Sequence, residues 1–282
     1  MSIETLTLPF QFVFMQNAFF ICLIISPSAA LLSCYLVLKG WALMGDAVSH
    51  SVLPGVVLAY VIGWPLIIGA LIAGMLCALA SGYVSQNSRL KHDTVLGIIF
   101  SAMFGIGLIL YISIPTNVHL DHILFGNMLG INETDLWTSG VISLCVCAAL
   151  IIKWKDFLLH CFDPAQAHVC GLHVRLLHYG LLSALSLSIV AVLSAVGLIL
   201  AIGIFIAPGA IAFLITRQFH MMLLISVIVC IFSMTIGVYA SFYLNSAPAP
   251  TIILVFTILF ILFFSRNQII IARLAHQNNH TV

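Results

Sequence analysis

The sequence predicts an all-α membrane protein, a polytopic helical bundle that crosses the bilayer about nine times. Of its 282 residues, 63% are hydrophobic and only 6% are charged, whereas soluble domains carry about 25% charged residues. The mean hydropathy is +1.23, and several apolar stretches reach the roughly 20 residues that a helix needs to cross the hydrocarbon core. An ordinary soluble protein is therefore excluded. Because no domain-length linker interrupts the chain, residues 1–282 are predicted to form a single transmembrane domain.

The individual helices follow from windows of high hydropathy that end at Gly, Pro or charged residues. The windows are 12–38, 42–63, 65–85, 93–114, 134–152, 176–195, 197–216, 219–244 and 250–265. Only Val196 and Gly197 separate the sixth window from the seventh. One of these two segments could therefore be re-entrant, which would make the number of crossings eight.

The basic residues predict the orientation of the bundle. All of them follow odd-numbered segments, and they are Lys39, Arg89, Lys91, Lys153, Lys155, Arg175, Arg217, Arg266 and Arg273. Because cytoplasmic loops are enriched in Lys and Arg, the amino terminus is expected outside, the carboxyl terminus in the cytoplasm, and the loop 115–133 on the outer face. The polar stretch 153–175 is then a cytoplasmic docking surface for a soluble partner. Scattered basic residues and a net charge of +1 give no indication of a nucleic-acid partner.

Of the eight acidic residues, seven lie in loops or at helix edges, whereas Asp46 lies within a predicted helix, and His50 follows it by four residues. In a helix the two side chains project from one face, one turn apart. An ionisable group in a spanning segment is costly unless it faces a cavity or a partner, and carboxylate and imidazole ligands suit Mn²⁺, Fe²⁺ or Zn²⁺. The pair is therefore a candidate metal site. Since two ligands are too few, the same pair from a second copy, related by a two-fold axis, is expected to complete it.

A structural interpretation of the same residues stays open at this point. Asp46 could cap the second helix after Gly45, and His50 could simply pack against it or pair with it. Pro54, four residues beyond His50, removes the backbone hydrogen bond to the His50 carbonyl and is expected to kink the helix there.

The predicted outer loop carries three further candidate cation contacts, His119, Asp121 and His122, in the string VHLDH. They could attract or hand over a cation, although an ordinary solvated loop would hold the same residue types. No segment reads G-x-x-x-x-G-K-[ST], the pattern of a nucleotide-binding loop. The chain is therefore predicted to be a transport subunit without an ATPase site of its own, and not an enzyme.

Several blocks along the chain resemble the metal-type ABC permeases of the ABC-3 family, which import manganese, zinc and chelated iron. They are LVLKGWALMGDAVSHSVLPGVVLAYVIG, KHDTVLGIIFSAMFGIGLIL, FDPAQAHVCGL, VGLILAIGIFIAPGAIAFLITRQF and APAPTIILVFTILFILFF. The blocks occur in the family's order over nearly the whole chain. The resemblance implies a permease dimer of identical or related chains in the bacterial plasma membrane. It further implies cytoplasmic ABC ATPase subunits that bind the ATP, and an extracytoplasmic metal-binding protein.

The resemblance also assigns roles to residues. It implies that Asp46 and His50 contact the metal in the translocation path, and that Asp163, Pro164 and Gly171 belong to the segment that docks on the ATPase. An acid often follows FDP in the family, whereas Ala165 and Gln166 stand here, so the polar contact to the ATPase is expected to differ. No cofactor is expected on the chain itself, and the divalent metal is its cargo.

The predicted function is therefore an ATP-driven importer of a divalent transition metal. The string APGAIAF favours manganese or iron, while zinc fits the same ligands. Two other transport functions stay open, namely a proton-coupled secondary transporter using Asp46 and His50, and an ABC permease for a bulky metal chelate. A membrane-embedded scaffold or receptor is a third alternative, which would leave the paired ligands unexplained.

Overall fold

The structure is a computed structural model that describes residues 8–41, 43–113, 130 and 133–278, and all regular secondary structure in these residues is helical. The predicted fold class is thereby confirmed. After a short 3-10 turn at Leu8–Gln11, the helices are α1 (Val13–Lys39), α2 (Met44–Ser51), α3 (Leu53–Ile62), α4 (Leu66–Asn87), α5 (His92–Ser113), α6 (Glu133–Ile152), α7 (Trp154–Phe162), α8 (Pro164–Val169), α9 (Val174–Val196), α10 (Leu198–Ile215), α11 (Phe219–Leu244) and α12 (Pro248–Asn278).

Eight helical segments of the described chain are long and apolar enough to cross a membrane. They are α1, α2 joined with α3, α4, α5, α6, α9, α11 and α12. The predicted segment 197–216 forms α10, whose apolar part Leu200–Ile215 is shorter than these spans. By length and composition, the described residues therefore contain the lower of the two predicted numbers of spans, plus one shorter apolar helix.

The shorter helix α10 lies at the centre of the bundle, where it packs against α1, α11 and α12 and also contacts α2. Leu200, Ile204 and Phe205 along it are fully buried. A helix that is apolar all round is expected at such a largely interior position, because most of its surface contacts other helices.

Helix α1 supports α10 through a hydrogen-bonded contact at Ser33. Pro208 lies inside α10 and lacks the N–H that a helix interior normally uses. Close to it, the Ser33 hydroxyl donates to the Ile206 carbonyl at 3.1 Å and accepts from the Gly209 N–H at 2.9 Å. A Cβ at Gly209 would lie 2.6 Å from the Ser33 backbone, so only glycine allows the two helices to approach this closely. The Pro-Gly step of APGAIAF thus has a packing role.

A second close approach joins α3 to α4. A Cβ placed on Gly55 would lie 2.1 Å from the Gly69 carbonyl oxygen, and a Cβ on Gly69 would lie equally close to the Gly55 carbonyl oxygen. Small residues at such contacts let membrane helices pack backbone to backbone. Because α3 continues directly from α2, this contact also positions the helix that carries Asp46 and His50.

The predicted polar stretch between the fifth and sixth windows folds as two short helices, α7 and α8. Helix α7 packs against α1 and α9. Its start is held by Tyr35 of α1, whose hydroxyl donates to the Trp154 carbonyl at 3.4 Å and whose ring lies 5.9 Å from that of Phe157. Helix α8 is thereby attached to the end of the helical bundle through α7.

Candidate functional site

Asp46 and His50 lie on α2, which is a short helix of eight residues. The structure ends α2 at Ser51 and begins α3 at Leu53, with Pro54 in the first turn of α3. Proline is tolerated there because the first N–H groups of a helix have no intrahelical acceptor. This interruption between α2 and α3 agrees with the kink that the sequence predicts near Pro54.

The two side chains contact each other on one face of α2, as their spacing predicted. His50 Nδ1 lies 3.0 Å from Asp46 Oδ1 and also 3.0 Å from the Asp46 backbone oxygen. The capping interpretation of Asp46 is wrong, because the N-cap residue is Leu43 and Asp46 lies inside the first turn. There its carboxylate still benefits from the positive end of the helix dipole.

The pair is partly open on the surface of the protomer. The side chain of His50 is 24% exposed and that of Asp46 is 35% exposed. The rings of Phe100 and Phe104 on α5 approach the imidazole edge-on, with centroids at 5.9 Å and 5.5 Å. Since both polar contacts of the imidazole use Nδ1, Nε2 is the ring nitrogen suited to bind a cation.

The described part of one protomer does not bring together a complete ligand set. Within the described residues, no group of three or more His, Cys, Asp or Glu side chains is arranged to hold a metal ion. The completion of the site by a second copy stays a prediction. The outer-loop candidates His119, Asp121 and His122 lie outside the residues that the structure describes.

The three candidate docking residues shape the short helix α8. The Asp163 carboxylate caps it by accepting from the backbone N–H groups of Ala165 at 2.9 Å and Gln166 at 3.0 Å. Pro164 is its first residue, and Gly171 adopts a left-handed φ of 79° that ends it. Asp and Pro at the start and Gly just past the end are the favoured residues of these positions. Each of the three therefore has a structural role, whatever it binds.

Helix α8 presents most of its surface to solvent. Ala167 is fully buried, while Ala165 and Gln166 are exposed and Val169 is 85% exposed.

A cluster of aromatic and basic side chains that sequence reasoning did not identify joins α7 to the start of α2. His160 is 2% exposed, and its ring lies 6.0 Å from that of His178; the His178 ring lies 5.3 Å from Trp41, and Trp41 stacks on His92 at 4.8 Å. Burial, with a smaller effect of Lys39, lowers the pKa of His160 to about 4, so this imidazole is neutral at pH 7. The sequence has several histidines in this region, but their spacing does not indicate which of them are buried.

Comparison with known proteins assigns the chain to a family. The model of the ABC 3 transport family matches residues 11–267. The chain belongs to this family. The resemblance that the sequence blocks predicted is thereby confirmed, and this ABC 3 permease is a multi-pass membrane protein. The family is one of transport subunits, which agrees with the missing nucleotide-binding loop.

Individual relatives of this ABC 3 permease match over most of their length. The chelated iron transport system membrane protein YfeD of Yersinia pestis is 49% identical over 265 residues, which cover 93% of this chain and 88% of the relative. The manganese transport system membrane protein MntB of Synechocystis sp. is 42% identical over 254 residues, which cover 90% and 83%. The solved structure of PsaBC from Streptococcus pneumoniae in complex with Fab contains a chain with a TM-score of 0.80 and 33% identity, with 93% and 95% covered.

Proposed function

We propose that this chain is the membrane-spanning permease subunit of an ATP-driven importer of manganese or iron. The full-length match to membrane proteins of manganese and chelated-iron transport systems carries this proposal. The half-exposed pair of Asp46 and His50 supports it, because carboxylate and neutral imidazole are ligands that these divalent metals accept. Zinc fits the same ligand chemistry and is the third metal to test.

Asp46 and His50 are the proposed metal ligands, and a second copy or a related permease chain supplies the rest of the site. Two such pairs about a two-fold axis would offer four ligands from two protomers. The partial exposure of both side chains in the protomer suits this arrangement, because fully buried side chains would not be accessible to a second chain. Metal release then requires only that the two copies of α2 move relative to each other.

The segment 153–175 is the proposed coupling segment, with Asp163, Pro164 and Gly171 shaping the helix that docks on a cytoplasmic ABC ATPase. The exposed surface of α8 supports this role. With α10 as a ninth crossing beside the eight longer spans, the distribution of basic residues supports an amino terminus outside and a carboxyl terminus in the cytoplasm. A bacterial plasma membrane location and an extracytoplasmic metal-binding protein complete the proposed system.

A chelate importer is the second candidate, and one observation favours it. The described residues hold no third ligand beside Asp46 and His50, and YfeD is named for chelated iron transport. A permease for a bulky chelate needs no inner metal ligands. A proton-coupled secondary transporter is less well supported, because the chain belongs to an ABC family.

Uptake into liposomes distinguishes these candidates. The permease is reconstituted with its ATPase and binding protein, and ATP-dependent uptake of Mn²⁺, Fe²⁺ and Zn²⁺ is compared for wild type, Asp46→Asn and His50→Gln. We expect both substitutions to reduce uptake by more than the roughly 10- to 100-fold that loss of a group merely supporting a ligand costs. Assembly and ATPase rate should be unchanged. The matched control is Asp93→Asn, an exposed acid in the first turn of α5.

The same experiment contains the outcomes that contradict the proposal. Uptake that survives both substitutions would make the pair structural, and uptake of a ferric chelate in place of the free ions would then establish the chelate importer. Uptake that follows an imposed proton gradient in the absence of ATP would establish the secondary transporter.

A further inference from the structure

A cavity of about 650 Å³ opens where the ends of α1 and α10 and the middle of α12 meet the start of α11. Phe162 at the end of α7 also lines it, so the cavity lies at the same end of the bundle as the proposed coupling segment. Apolar and basic side chains share its wall. Its lining includes Phe213, Arg217, Phe219, Phe263, Arg266 and Asn267.

Two guanidinium groups line this cavity without a carboxylate to neutralise them. Within the described residues, the ion pairs are His50 with Asp46 and Lys153 with Asp156. Neither Arg217 nor Arg266 takes part in one. Two like charges at one cavity repel each other, and an anion bound between them removes that repulsion. Arginine is the side chain best suited to bind phosphate, because its planar group donates two parallel hydrogen bonds.

Both arginines follow long apolar stretches, the position expected of basic residues at the level of the lipid headgroups. The apolar part of α12 runs from Pro248 to Ser265, which at 1.5 Å per residue is about 27 Å, close to the thickness of the hydrocarbon core. Arg266 is the next residue. Arg217 likewise follows the end of α10 at Ile215 by two residues. Each guanidinium can therefore reach the interface, where the phosphate groups of a bilayer lie.

The apolar wall of the cavity continues onto the surface that faces lipid. Phe213 lines the cavity and is 55% exposed. Next to Phe263 on α12, Leu262 and Phe264 are also exposed. An acyl chain could follow this surface out of the cavity without leaving an apolar environment. A docking groove for a soluble subunit would not need such continuity with the bilayer.

We propose that the cavity binds one anionic phospholipid of the cytoplasmic leaflet. Arg217 and Arg266 hold its phosphate, Asn267 donates to it, and an acyl chain lies against Phe213 and Phe263. Basic pockets between membrane helices on the cytoplasmic side are suited to acidic lipid headgroups. The choice of leaflet rests on the orientation given under the proposed function, whereas the lipid class rests on the two arginines. The bound lipid would connect α10 to α12 and α11 at the end of the bundle.

The test measures lipid binding without metal, ATP or transport, so its result is separate from that of the proposed function. The full chain is purified in a neutral detergent and titrated with phosphatidylglycerol or phosphatidylcholine, and bound lipid is counted by native mass spectrometry. Thermal unfolding is followed in parallel. We expect one phosphatidylglycerol to bind and to raise the melting temperature, while phosphatidylcholine binds at least tenfold more weakly.

Variants assign that binding to the cavity. The double substitution Arg217→Gln with Arg266→Gln should reduce phosphatidylglycerol binding by tenfold or more. The double lysine variant should recover part of it, because the charge is kept and the paired hydrogen bonds are lost. Arg89→Gln, an exposed arginine outside the cavity, is the matched control and should bind as wild type does. Unfolding temperatures without added lipid establish that each variant is folded.

Three results would overturn the assignment. Phosphatidylglycerol binding that is unchanged in the double glutamine variant would place the lipid elsewhere. Stabilisation by millimolar inorganic phosphate equal to that by the lipid would make the cavity a site for free phosphate. Loss of the bound lipid when the ATPase assembles on the permease would assign the cavity to the subunit interface.

Discussion

Replacing Gly55 by alanine tests the closest helix contact of the molecule. The added Cβ would lie 2.1 Å from the Gly69 carbonyl oxygen and 2.6 Å from the Ala73 Cβ. A carbon atom approaches a carbonyl oxygen to about 3.3 Å, so α3 and α4 must separate by roughly 1.2 Å at this point. The obstacle is backbone, which cannot rotate away as the end of a flexible side chain can.

The expected loss of stability in the Gly55→Ala variant follows from two opposing effects. Overpacking costs about 1–3 kcal/mol, and a backbone obstacle places this substitution near the upper end. The better helix propensity of alanine offsets about 1 kcal/mol, which leaves a net destabilisation of about 2 kcal/mol. With an unfolding entropy of about 2.1 cal/mol/K per residue, such a loss lowers the melting temperature of a 282-residue chain by roughly 3–4 °C.

The assay is thermal unfolding of the purified chain in detergent, with uptake measured in liposomes. Gly97→Ala is the matched control, because Gly97 is also helical and a Cβ there would meet nothing within 4 Å. It should unfold at or slightly above the wild-type temperature. Because α3 continues from α2, Gly55→Ala should also reduce uptake. If Gly55→Ala is as stable as Gly97→Ala, the backbones of α3 and α4 are not in contact and the reasoning fails.

Three further predictions concern other contacts. Ser33→Ala removes the hydroxyl that bonds the Gly209 N–H and the Ile206 carbonyl of α10. The free energy of unfolding should therefore fall by about 1–3 kcal/mol. An unchanged melting temperature would contradict this prediction. Asp163→Ala removes the cap of α8 and about 1 kcal/mol, so coupling of ATPase to uptake should weaken, whereas Asp163→Asn should retain it. In the folded protein, the ring of His160 lies beside that of His178. Burial, and to a smaller extent Lys39, lowers its pKa to about 4, from an ordinary value of about 6.5. As the pH falls, His160 therefore binds a proton in the unfolded chain before it does so in the folded chain. The free energy of unfolding should consequently decrease as the pH drops from about 6.5 towards 4. His160→Gln should flatten that part of the melting-temperature profile.

Features set by neighbouring residues in the chain could be predicted from the sequence. Asp46 and His50 pair because a helix places residues four apart on one face. The break before Pro54 and the boundaries of α8 at Asp163 and Gly171 likewise follow from rules that act over a few residues. These parts of the candidate site needed no knowledge of how the helices pack.

Features that depend on packing between helices could not be predicted. Hydropathy does not distinguish a helix that faces lipid from one surrounded by protein, so the sequence left open which of the segments 176–195 and 197–216 could be re-entrant and did not show that α10 is central. The contact of Gly55 with Gly69 and the burial of His160 both depend on which helices become neighbours. The capping role expected for Asp46 failed because α2 begins three residues earlier than that interpretation required, with Leu43 as its N-cap.

The buried cluster suggests how the proposed coupling segment could act on the proposed metal ligands. Helix α7 carries His160, whose ring neighbours His178 of α9, and that ring in turn meets Trp41. Trp41 lies three residues before α2, the helix with Asp46 and His50. A displacement of α7 by a docked ATPase would therefore reach α2 through packed rings, one of which belongs to α9. Close packing transmits such a shift because the rings cannot be compressed. A small movement of Asp46 and His50 is enough, because the loss of one ligand contact weakens the binding of a cation held between two protomers.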